Sequence, residues 1–186
     1  MNVTRTSLDG ALVIEPRCVE DGRGSFLEAY QDARYREAGI RDVFVQDNYS
    51  RSAKHVLRGL HFQVQRPQAQ LVTVLRGRIF DVVVDLRRRS PTFAKWFGVE
   101  LDDSGPRQMY MAPGFGHGFC VLSDWADVHY KVSRRYDAGD EGRVRWDDPD
   151  IGIGWPLNSP IVGPRDAASP RLRDLAPDQL PQEPAP

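Results

Sequence analysis

Short runs of strand-forming residues recur along this chain at intervals of roughly ten residues, and turn-forming residues separate them. This spacing favours an all-β sandwich or jelly roll over a sheet with alternating helices. We expect one domain over residues 1–186, with a single confident helix at 32–36 that Asp32 can cap and Gly39 can end. The predicted strands cover 1–16, 25–30, 43–49, 56–65, 70–76, 78–86, 92–101, 108–112, 117–122 and 127–133.

Three further local predictions follow from turn chemistry and composition. Residues 70–76 and 78–86 are expected to form a hairpin around Gly77. Residues 50–55 are expected to form a polar, basic loop. The tail after about Ser169 is rich in Pro, Asp and Ala, and we expect it to wrap the surface or to be loose at its end.

Composition narrows the classes of function. The formal net charge of −1 gives no reason to expect a general affinity for nucleic acid or for an anionic membrane. No apolar run approaches the ~18 residues of a membrane-spanning helix, and the first residues lack the apolar core of a signal peptide. Cys18 and Cys120 are far apart and lack metal-site spacing, which favours two reduced thiols in a cytosolic protein over a disulfide.

The segment Arg58-Gly-Leu-His-Phe-Gln63 concentrates polar chemistry in a stretch of strand composition. Alternation along a strand places His61 and Gln63 on the same face of a sheet. Arg58 is out of phase by one residue and joins them only if Gly59 marks a bulge or a bend. A face with a cation, a titratable base and an amide is poorly suited to a packed core. We therefore expect it to line a cavity or an aqueous groove.

The four histidines lie in different contexts. His55 lies in a polar segment and is expected to be exposed, and His129 is expected to be structural. His61 and His117 each follow a glycine closely and have an aromatic residue nearby, and the missing side-chain bulk leaves room for a ligand. A hydrogen-bonded, inert core histidine is the competing interpretation for both.

A metal centre is one candidate for two histidines in a small β-barrel. The position that would complete a His-x-His pair after His61 is Gln63, and no Glu follows within the next several residues. Because a metal site needs three or four nitrogen or oxygen ligands, the sequence predicts no metal. Acid–base chemistry is better supplied, since a neutral histidine is a competent base and a tyrosine such as Tyr130 can donate a proton. A lone tyrosine in a strand is more often a packing residue.

An ordered series of motifs carries a resemblance to a known family. The motifs are Gln46-Asp-Asn48, Arg58-Gly-Leu-His-Phe-Gln63, Leu71-Val-Thr-Val-Leu-Arg-Gly77, Phe80-Asp-Val-Val-Val-Asp-Leu-Arg87, Ser90-Pro-Thr-Phe93, Gly114-Phe-Gly-His-Gly-Phe119, Tyr130-Lys131 and Trp146-Asp-Asp-Pro149. In this order they resemble the dTDP-4-dehydrorhamnose 3,5-epimerases from about residue 5 to residue 166. The resemblance implies a cupin-type jelly roll (double-stranded β-helix) with a few short helices, acting as a homodimer without a metal or another cofactor. It also implies epimerisation of a dTDP-linked 4-keto-6-deoxy sugar at C3 and C5 through an enolate.

The same resemblance assigns roles to particular residues. It makes His61 the base, Tyr130 the acid and Asp166 the carboxylate that orients the imidazole. Asp81 is a second candidate partner for the imidazole or for the tyrosine hydroxyl. The resemblance also implies ligand contacts. Arg23 and Glu28 would bind the nucleotide end, either in their own subunit or from the partner subunit. The sugar and diphosphate would contact Gln46, Asn48, Arg58 and His117, whereas the thymine would stack on Tyr136 and the nucleotide would lie near Glu141 and Arg165. Arg23 and Glu28 could equally form an ordinary solvated pair.

Gln70 departs from the family pattern, which has a lysine immediately before the Leu-Val of this strand. A glutamine offers only an amide dipole where a lysine would offer full charge to a diphosphate or a developing enolate. Losing that charge at a dry oxyanion site can cost ~3 kcal/mol. Either another cation compensates, with Arg58 as the first choice, or the substrate differs. A single-position epimerase and a non-catalytic sugar-binding cupin therefore stay open as alternatives.

Overall fold

Two sheets, antiparallel apart from one short strand, pack face to face and form the body of the molecule. The computed structural model describes residues 1–105 and 107–182, and within these residues each sheet has six strands. The strands are β1 (Asn2–Arg5), β2 (Ala11–Glu15), β3 (Cys18–Asp21), β4 (Gly24–Leu27), β5 (Gln46–Ala53), β6 (Val56–Gln63), β7 (Gln70–Arg76), β8 (Arg78–Asp85), β9 (Trp96–Asp102), β10 (Gln108–Met111), β11 (Phe115–Val121), β12 (Trp125–Val132), β13 (Glu141–Arg143) and β14 (Ile161–Val162). The α-helices are α1 (Asp32–Glu37) and α2 (Pro164–Ala167), and 3-10 turns lie at Leu172–Asp174 and Pro177–Gln179.

The chain passes repeatedly between the two sheets, as expected for a jelly roll. The first sheet has the strand order β1-β2-β10-β7-β12-β5. The second has the order β13-β6-β11-β8-β9, with β14 added parallel to β6. Strands β3 and β4 form a separate hairpin. The predicted all-β jelly roll is thus confirmed. No helix in the described part of the chain is long and apolar enough to cross a bilayer.

The main core lies between the sheets because alternate residues of each strand point inward. Val72 and Val128 from the first sheet meet Val83 and Phe119 from the second, and all four are buried. The outer face of the second sheet is also covered. There the tail buries Leu172 and Leu180 in a second apolar cluster.

This burial explains where the tail lies. Burying a leucine side chain stabilises a fold by roughly 1.5–3 kcal/mol. The two tail leucines therefore hold the segment after Ser169 against the sheet through residue 182. The predicted wrapping is confirmed over this part of the tail, and the chain end from residue 183 onward falls outside the described residues.

Helix α1 is confirmed, although its cap differs from the prediction. The side chain of Gln31, and not that of Asp32, accepts a hydrogen bond from the backbone N–H of Arg34. Tyr35 is buried against the outer face of the first sheet, and Gly39 follows the helix at a φ of 94°. The amide side chain of Gln31 thus takes the capping role that the carboxylate was expected to take.

The predictions for residues 1–16 and 50–55 were wrong. The single strand expected at 1–16 is two antiparallel strands, β1 and β2, because the polar turn after Thr6 reverses the chain at Gly10. The loop expected at 50–55 is in large part strand, since β5 continues to Ala53. Polar residues are tolerated there because β5 is an edge strand of the first sheet.

The hairpin expected around Gly77 was also wrong. Strand β7 pairs with β10 and β12, whereas β8 pairs with β11 and β9, so the two consecutive strands belong to different sheets. Gly77 adopts a φ of 81°, and a Cβ at this position would lie 2.1 Å from the carbonyl oxygen of Trp125. The glycine therefore makes a crossing between sheets and not a hairpin turn.

Candidate active site

A cavity of about 340 Å³ opens between the two sheets. Nine of the residues predicted for the site contribute to its wall. They are Gln46, Asn48, Arg58, His61, Gln70, His117, Tyr130, Tyr136 and Glu141. The segment expected to line a cavity therefore does so.

The irregular strand β6 brings Arg58 into this wall. His61 lies opposite His117 on β11, but Arg58 lies opposite Phe119, so two residues of β6 face one residue of β11. This is the bulge that Gly59 was expected to mark. Gly59 has a φ of 133°, and a Cβ on it would lie 2.6 Å from the Cα of Gly118. The close approach of the two strands thus requires a glycine. The bulge shifts the alternation of the strand by one residue, so that Arg58 lines the cavity together with His61 and Gln63.

His61 is paired with Asp166, which helix α2 places behind the imidazole. Nε2 of His61 lies 2.7 Å from Oδ1 of Asp166, and the other carboxylate oxygen accepts the backbone N–H of Gly59 at 3.2 Å. Burial alone would raise the pKa of Asp166, but the hydrogen bonds from His61 and Gly59 and the charge of Arg58 hold it below its usual value. An ionised carboxylate accepts the Nε2 proton, so Nδ1 is left as the basic nitrogen. Nδ1 has no hydrogen-bond partner among the described residues.

Tyr130 reaches the cavity from the other sheet. It lies on β12, between Asn48 on β5 and Val72 on β7. Burial raises the pKa of the Tyr130 hydroxyl, and the nearby charge of Arg58 opposes that shift only in part. The hydroxyl therefore keeps its proton at neutral pH. The imidazole of His61 and the protonated hydroxyl of Tyr130 thus lie on opposite walls of one cavity.

Asp81 occupies a different place from the one proposed for it. Its Oδ1 lies 2.7 Å from Nε2 of His117, and neither His61 nor Tyr130 is its hydrogen-bond partner. The side chain of Asp81 has no exposed surface, and its Oδ2 has no hydrogen-bond partner among the described residues. The site therefore holds two histidine–carboxylate pairs, of which the second is deeper.

The mouth of the cavity carries a charged cluster around Glu141. Its carboxylate accepts a hydrogen bond from Arg165 at 2.9 Å and pairs with Arg143. The backbone N–H of Tyr136 donates to the side chain of Gln46, and the Tyr136 ring is about half exposed. Since Arg165 directly precedes Asp166 in α2, one short helix supplies both this mouth and the partner of His61.

Arg23 and Glu28 lie outside the cavity of their own chain. Arg23 is almost fully exposed on the β3–β4 hairpin and pairs with Asp21 at 2.6 Å. Glu28 pairs with Arg34 at 2.8 Å. The solvated pair between Arg23 and Glu28 is therefore not formed.

Gln70 lines the cavity, and its amide has no hydrogen-bond partner among the described residues. Arg58 is the one lining residue of the described chain with a permanent positive charge, and its Nε donates to Ser52 at 2.9 Å. The arrangement leaves the outer nitrogens of Arg58 for a ligand.

Sequence reasoning missed Ser50, Ser52 and Gln68. Ser50 and Gln68 line the cavity, and Ser52 supports Arg58. The alternation of Gln46, Asn48, Ser50 and Ser52 could have revealed the two serines, but the loop prediction interrupted it. Gln68 precedes its strand, and no local signal marks it.

The remaining histidines do not contribute to this site. His55 is exposed, as predicted, and His129 lies near Asp47, away from the cavity. Within residues 1–105 and 107–182, no three His, Cys, Asp or Glu side chains are grouped so that they could hold a metal ion. Cys18 and Cys120 are free thiols.

The fold and the cavity define a cupin-like jelly roll whose polar cavity holds two histidine–carboxylate pairs and a tyrosine. A model of the dTDP-4-dehydrorhamnose 3,5-epimerase family matches residues 5–174. The chain belongs to this family, and the resemblance seen in its motifs is confirmed.

Individual relatives agree with this assignment. A dTDP-4-dehydrorhamnose 3,5-epimerase of Methanothermobacter thermautotrophicus is 51% identical over 82% of this chain and 83% of that protein. A dTDP-4-dehydrorhamnose 3-epimerase of Streptomyces niveus is 43% identical over 88% of this chain and 81% of that protein. The crystal structure of dTDP-6-deoxy-D-glucose-3,5-epimerase from Legionella pneumophila, in complex with dTDP-4-keto-L-rhamnose, superposes with a TM-score of 0.95 at 46% identity, covering 99% of each chain.

Proposed function

We propose that this protein is an isomerase that epimerises dTDP-4-dehydro-6-deoxy-D-glucose at C3 and C5. The product is dTDP-4-dehydro-L-rhamnose, an intermediate of dTDP-L-rhamnose biosynthesis. The observation that carries the proposal is the His61–Asp166 pair facing Tyr130 across one cavity. The family membership of the chain supports the choice of substrate.

The reaction follows from the acidity of carbons next to a ketone. The C4 carbonyl of the substrate acidifies the protons on C3 and C5, so a base of moderate strength can remove one and leave an enolate. Nδ1 of His61 takes the proton, and Asp166 stabilises the resulting imidazolium. The Tyr130 hydroxyl returns a proton to the opposite face of the same carbon, which inverts it.

The remaining polar groups bind the substrate. Arg58 supplies positive charge for the diphosphate or for the developing enolate, since an arginine forms charge-assisted bonds with anionic oxygens. The ring of Tyr136 at the mouth offers a stacking surface for thymine, beside Glu141 and Arg165. Gln46, Asn48 and Gln70 supply neutral hydrogen-bonding groups for the sugar.

We also propose a homodimer in which the β3–β4 hairpin of one protomer reaches the cavity of its partner. Arg23 and the largely exposed Phe26 of this hairpin do not line the cavity of their own protomer, which supports a role between subunits. Complementation tests this assignment. Mixing Arg23→Ala with His61→Ala protomers should restore about a quarter of wild-type activity if Arg23 acts across the interface. Absence of restored activity in verified mixed dimers contradicts that role.

We further propose that the protein is cytoplasmic, since its two cysteines are free thiols.

A second candidate function is epimerisation at a single carbon. Two points favour it: Gln70 lines the cavity at a position where the resemblance implies a lysine, and a 3-epimerase is 43% identical to this chain. A neutral amide stabilises an enolate less than a lysine does. The weaker site could then support exchange at the more acidic position only.

One experiment separates these functions. The protein is incubated with dTDP-4-keto-6-deoxyglucose in deuterated water, and NMR follows deuterium at C3 and C5. Inversion at both carbons supports the 3,5-epimerase, and an unchanged C5 supports the single-position enzyme. Binding without exchange at either carbon indicates a sugar-binding cupin and rejects both catalytic proposals.

A further inference from the structure

The pair formed by Asp81 and His117 has no part in the mechanism above. Asp81 on β8 and His117 on β11 lie on neighbouring strands of the second sheet, with Nε2 of the ring 2.7 Å from the carboxylate. The His117 side chain is 10% exposed and lines the cavity, while that of Asp81 is fully buried. A buried carboxylate is costly unless it accepts hydrogen bonds, and His117 is the side chain that donates one to it among the described residues.

This contact determines which nitrogen of His117 carries the proton. A carboxylate only accepts hydrogen bonds, so the proton lies on Nε2. Nδ1 has no hydrogen-bond partner among the described residues and is the nitrogen left for a ligand in the cavity. An unprotonated Nδ1 can accept a hydrogen bond but cannot donate one.

Groups of both signs lie around the His117 ring, with the carboxylate of Asp81 on one side and His61 and Arg58 in the cavity wall. His61 lies directly opposite His117, and directly opposed side chains in a sheet have Cβ atoms ~5 Å apart. His61 becomes a cation when it takes the substrate proton, and a second imidazolium beside it would oppose that step. Arg58 on β6 adds a further positive charge, Tyr130 faces the pair from the other sheet, and the charge of Glu141 is shared with its arginines.

We propose that Asp81 fixes the tautomer of His117 so that Nδ1 accepts a hydrogen bond from a hydroxyl group on the sugar ring of the substrate. This inference rests on the proposed function. A phosphate oxygen is an acceptor and cannot satisfy Nδ1, whereas a 4-keto-6-deoxy sugar linked through C1 carries hydroxyl donors at C2 and C3. His117 therefore recognises the sugar, the diphosphate is left to Arg58, and Asp81 is a positioning residue.

The first test reads the tautomer in the unaltered protein. Long-range proton–nitrogen NMR of the imidazole rings should show His117 protonated at Nε2 and unprotonated at Nδ1. It should do so both in the free protein and with dTDP-glucose, a probe that has the sugar hydroxyls but no ketone. A ring protonated at both nitrogens in the complex, or at Nδ1 alone, overturns the proposal.

The second test compares two ligands by calorimetry, dTDP and dTDP-glucose. The variant is His117→Phe combined with Asp81→Asn, which avoids leaving a buried charge unpaired. It should bind dTDP within about twofold of the wild type but lose about three- to tenfold in affinity for dTDP-glucose, as expected for one neutral hydrogen bond. His129→Phe, which alters a histidine outside the cavity, should change neither affinity.

Each result of the second test decides the question. Equal losses for the two ligands place His117 at the nucleotide or the diphosphate, and no loss removes it from the site, so both overturn the proposal. If the double variant does not fold, the NMR measurement on the wild type decides. A wild-type protein that binds neither ligand contradicts the proposed function, whereas the tautomer is still read in the free protein.

Discussion

His61 and His117 lie directly opposite each other on neighbouring strands, and each ring contacts its own carboxylate through Nε2 at 2.7 Å. The two pairs differ in their access to solvent, since the side chain of His61 is 36% exposed and that of His117 is 10% exposed. The more accessible ring suits proton transfer with a substrate. The deeper ring suits a fixed hydrogen bond.

Replacing the partner of His61 should slow proton abstraction. In Asp166→Asn the hydrogen bond can persist, but the charge that stabilises the imidazolium is lost. We expect the kcat of Asp166→Asn to fall by about 10- to 100-fold. For His61→Ala, we expect the rate of deuterium exchange to fall by about 10²–10⁴-fold. Exchange at C3 and C5 in deuterated water measures both effects. Asp47→Asn, at an exposed carboxylate outside the cavity, is the control. Substantial residual exchange in His61→Ala would reject His61 as the base.

Tyr130→Phe should separate exchange from inversion. The variant keeps the base, so a proton can still leave and return on the same face of the carbon. Net epimerisation should therefore slow by about 10²-fold or more, while exchange slows much less. Comparing the rate of product formation with the rate of deuterium uptake gives the ratio. An equal loss of both rates would remove Tyr130 from the donor role.

Asp85 should make stability depend on pH. It is fully buried and accepts hydrogen bonds from Arg87 at 2.8 Å, Ser90 at 2.5 Å and Thr92 at 2.7 Å. Burial would raise its pKa, but these hydrogen bonds outweigh burial and lower it. The folded-state pKa is thus below the unfolded value of ~3.9, so the stabilisation is complete above that value and is lost as pH falls through the folded-state pKa.

Asp85→Asn should therefore destabilise the protein by about 3 kcal/mol at pH 7, since it removes one member of a buried charged network. Urea denaturation at pH 7 and again below pH 4 measures the difference from wild type. That difference should shrink at the lower pH, where the wild-type carboxylate also gains a proton. A difference independent of pH would contradict this account of Asp85.

Removing metal ions should leave activity unchanged. Gln63 occupies the position where a second histidine ligand would follow His61, and its amide is bonded to the backbone of Asp137 at 3.0 Å on both sides. We expect dialysis against a chelator to leave kcat unchanged and elemental analysis to find no stoichiometric metal. Loss of activity on chelation, restored by one added metal, would reject the acid–base mechanism as written.

Local patterns were sufficient for much of this molecule. The alternation in 56–65 predicted a cavity-lining face, and Gly59 was recognised as the condition for bringing Arg58 into it. Both results depend on neighbours within a few residues, which is the range over which strand periodicity acts. Helix α1 and most strands of both sheets were predicted for the same reason.

Only the tertiary structure decided which elements and which charges meet. Gly77 looks alike in a hairpin and in a crossing between sheets, and the outcome depends on the strands that β7 and β8 find elsewhere in the chain. The partner of His61, 105 residues away, was named by the family resemblance and by no local pattern, and the partner of His117, 36 residues away, was not predicted. The sequence indicates which residues line the site, because residue types and their spacing are local. Which histidine pairs with which carboxylate depends on the faces that the two sheets bury together, and this is decided only in the tertiary structure.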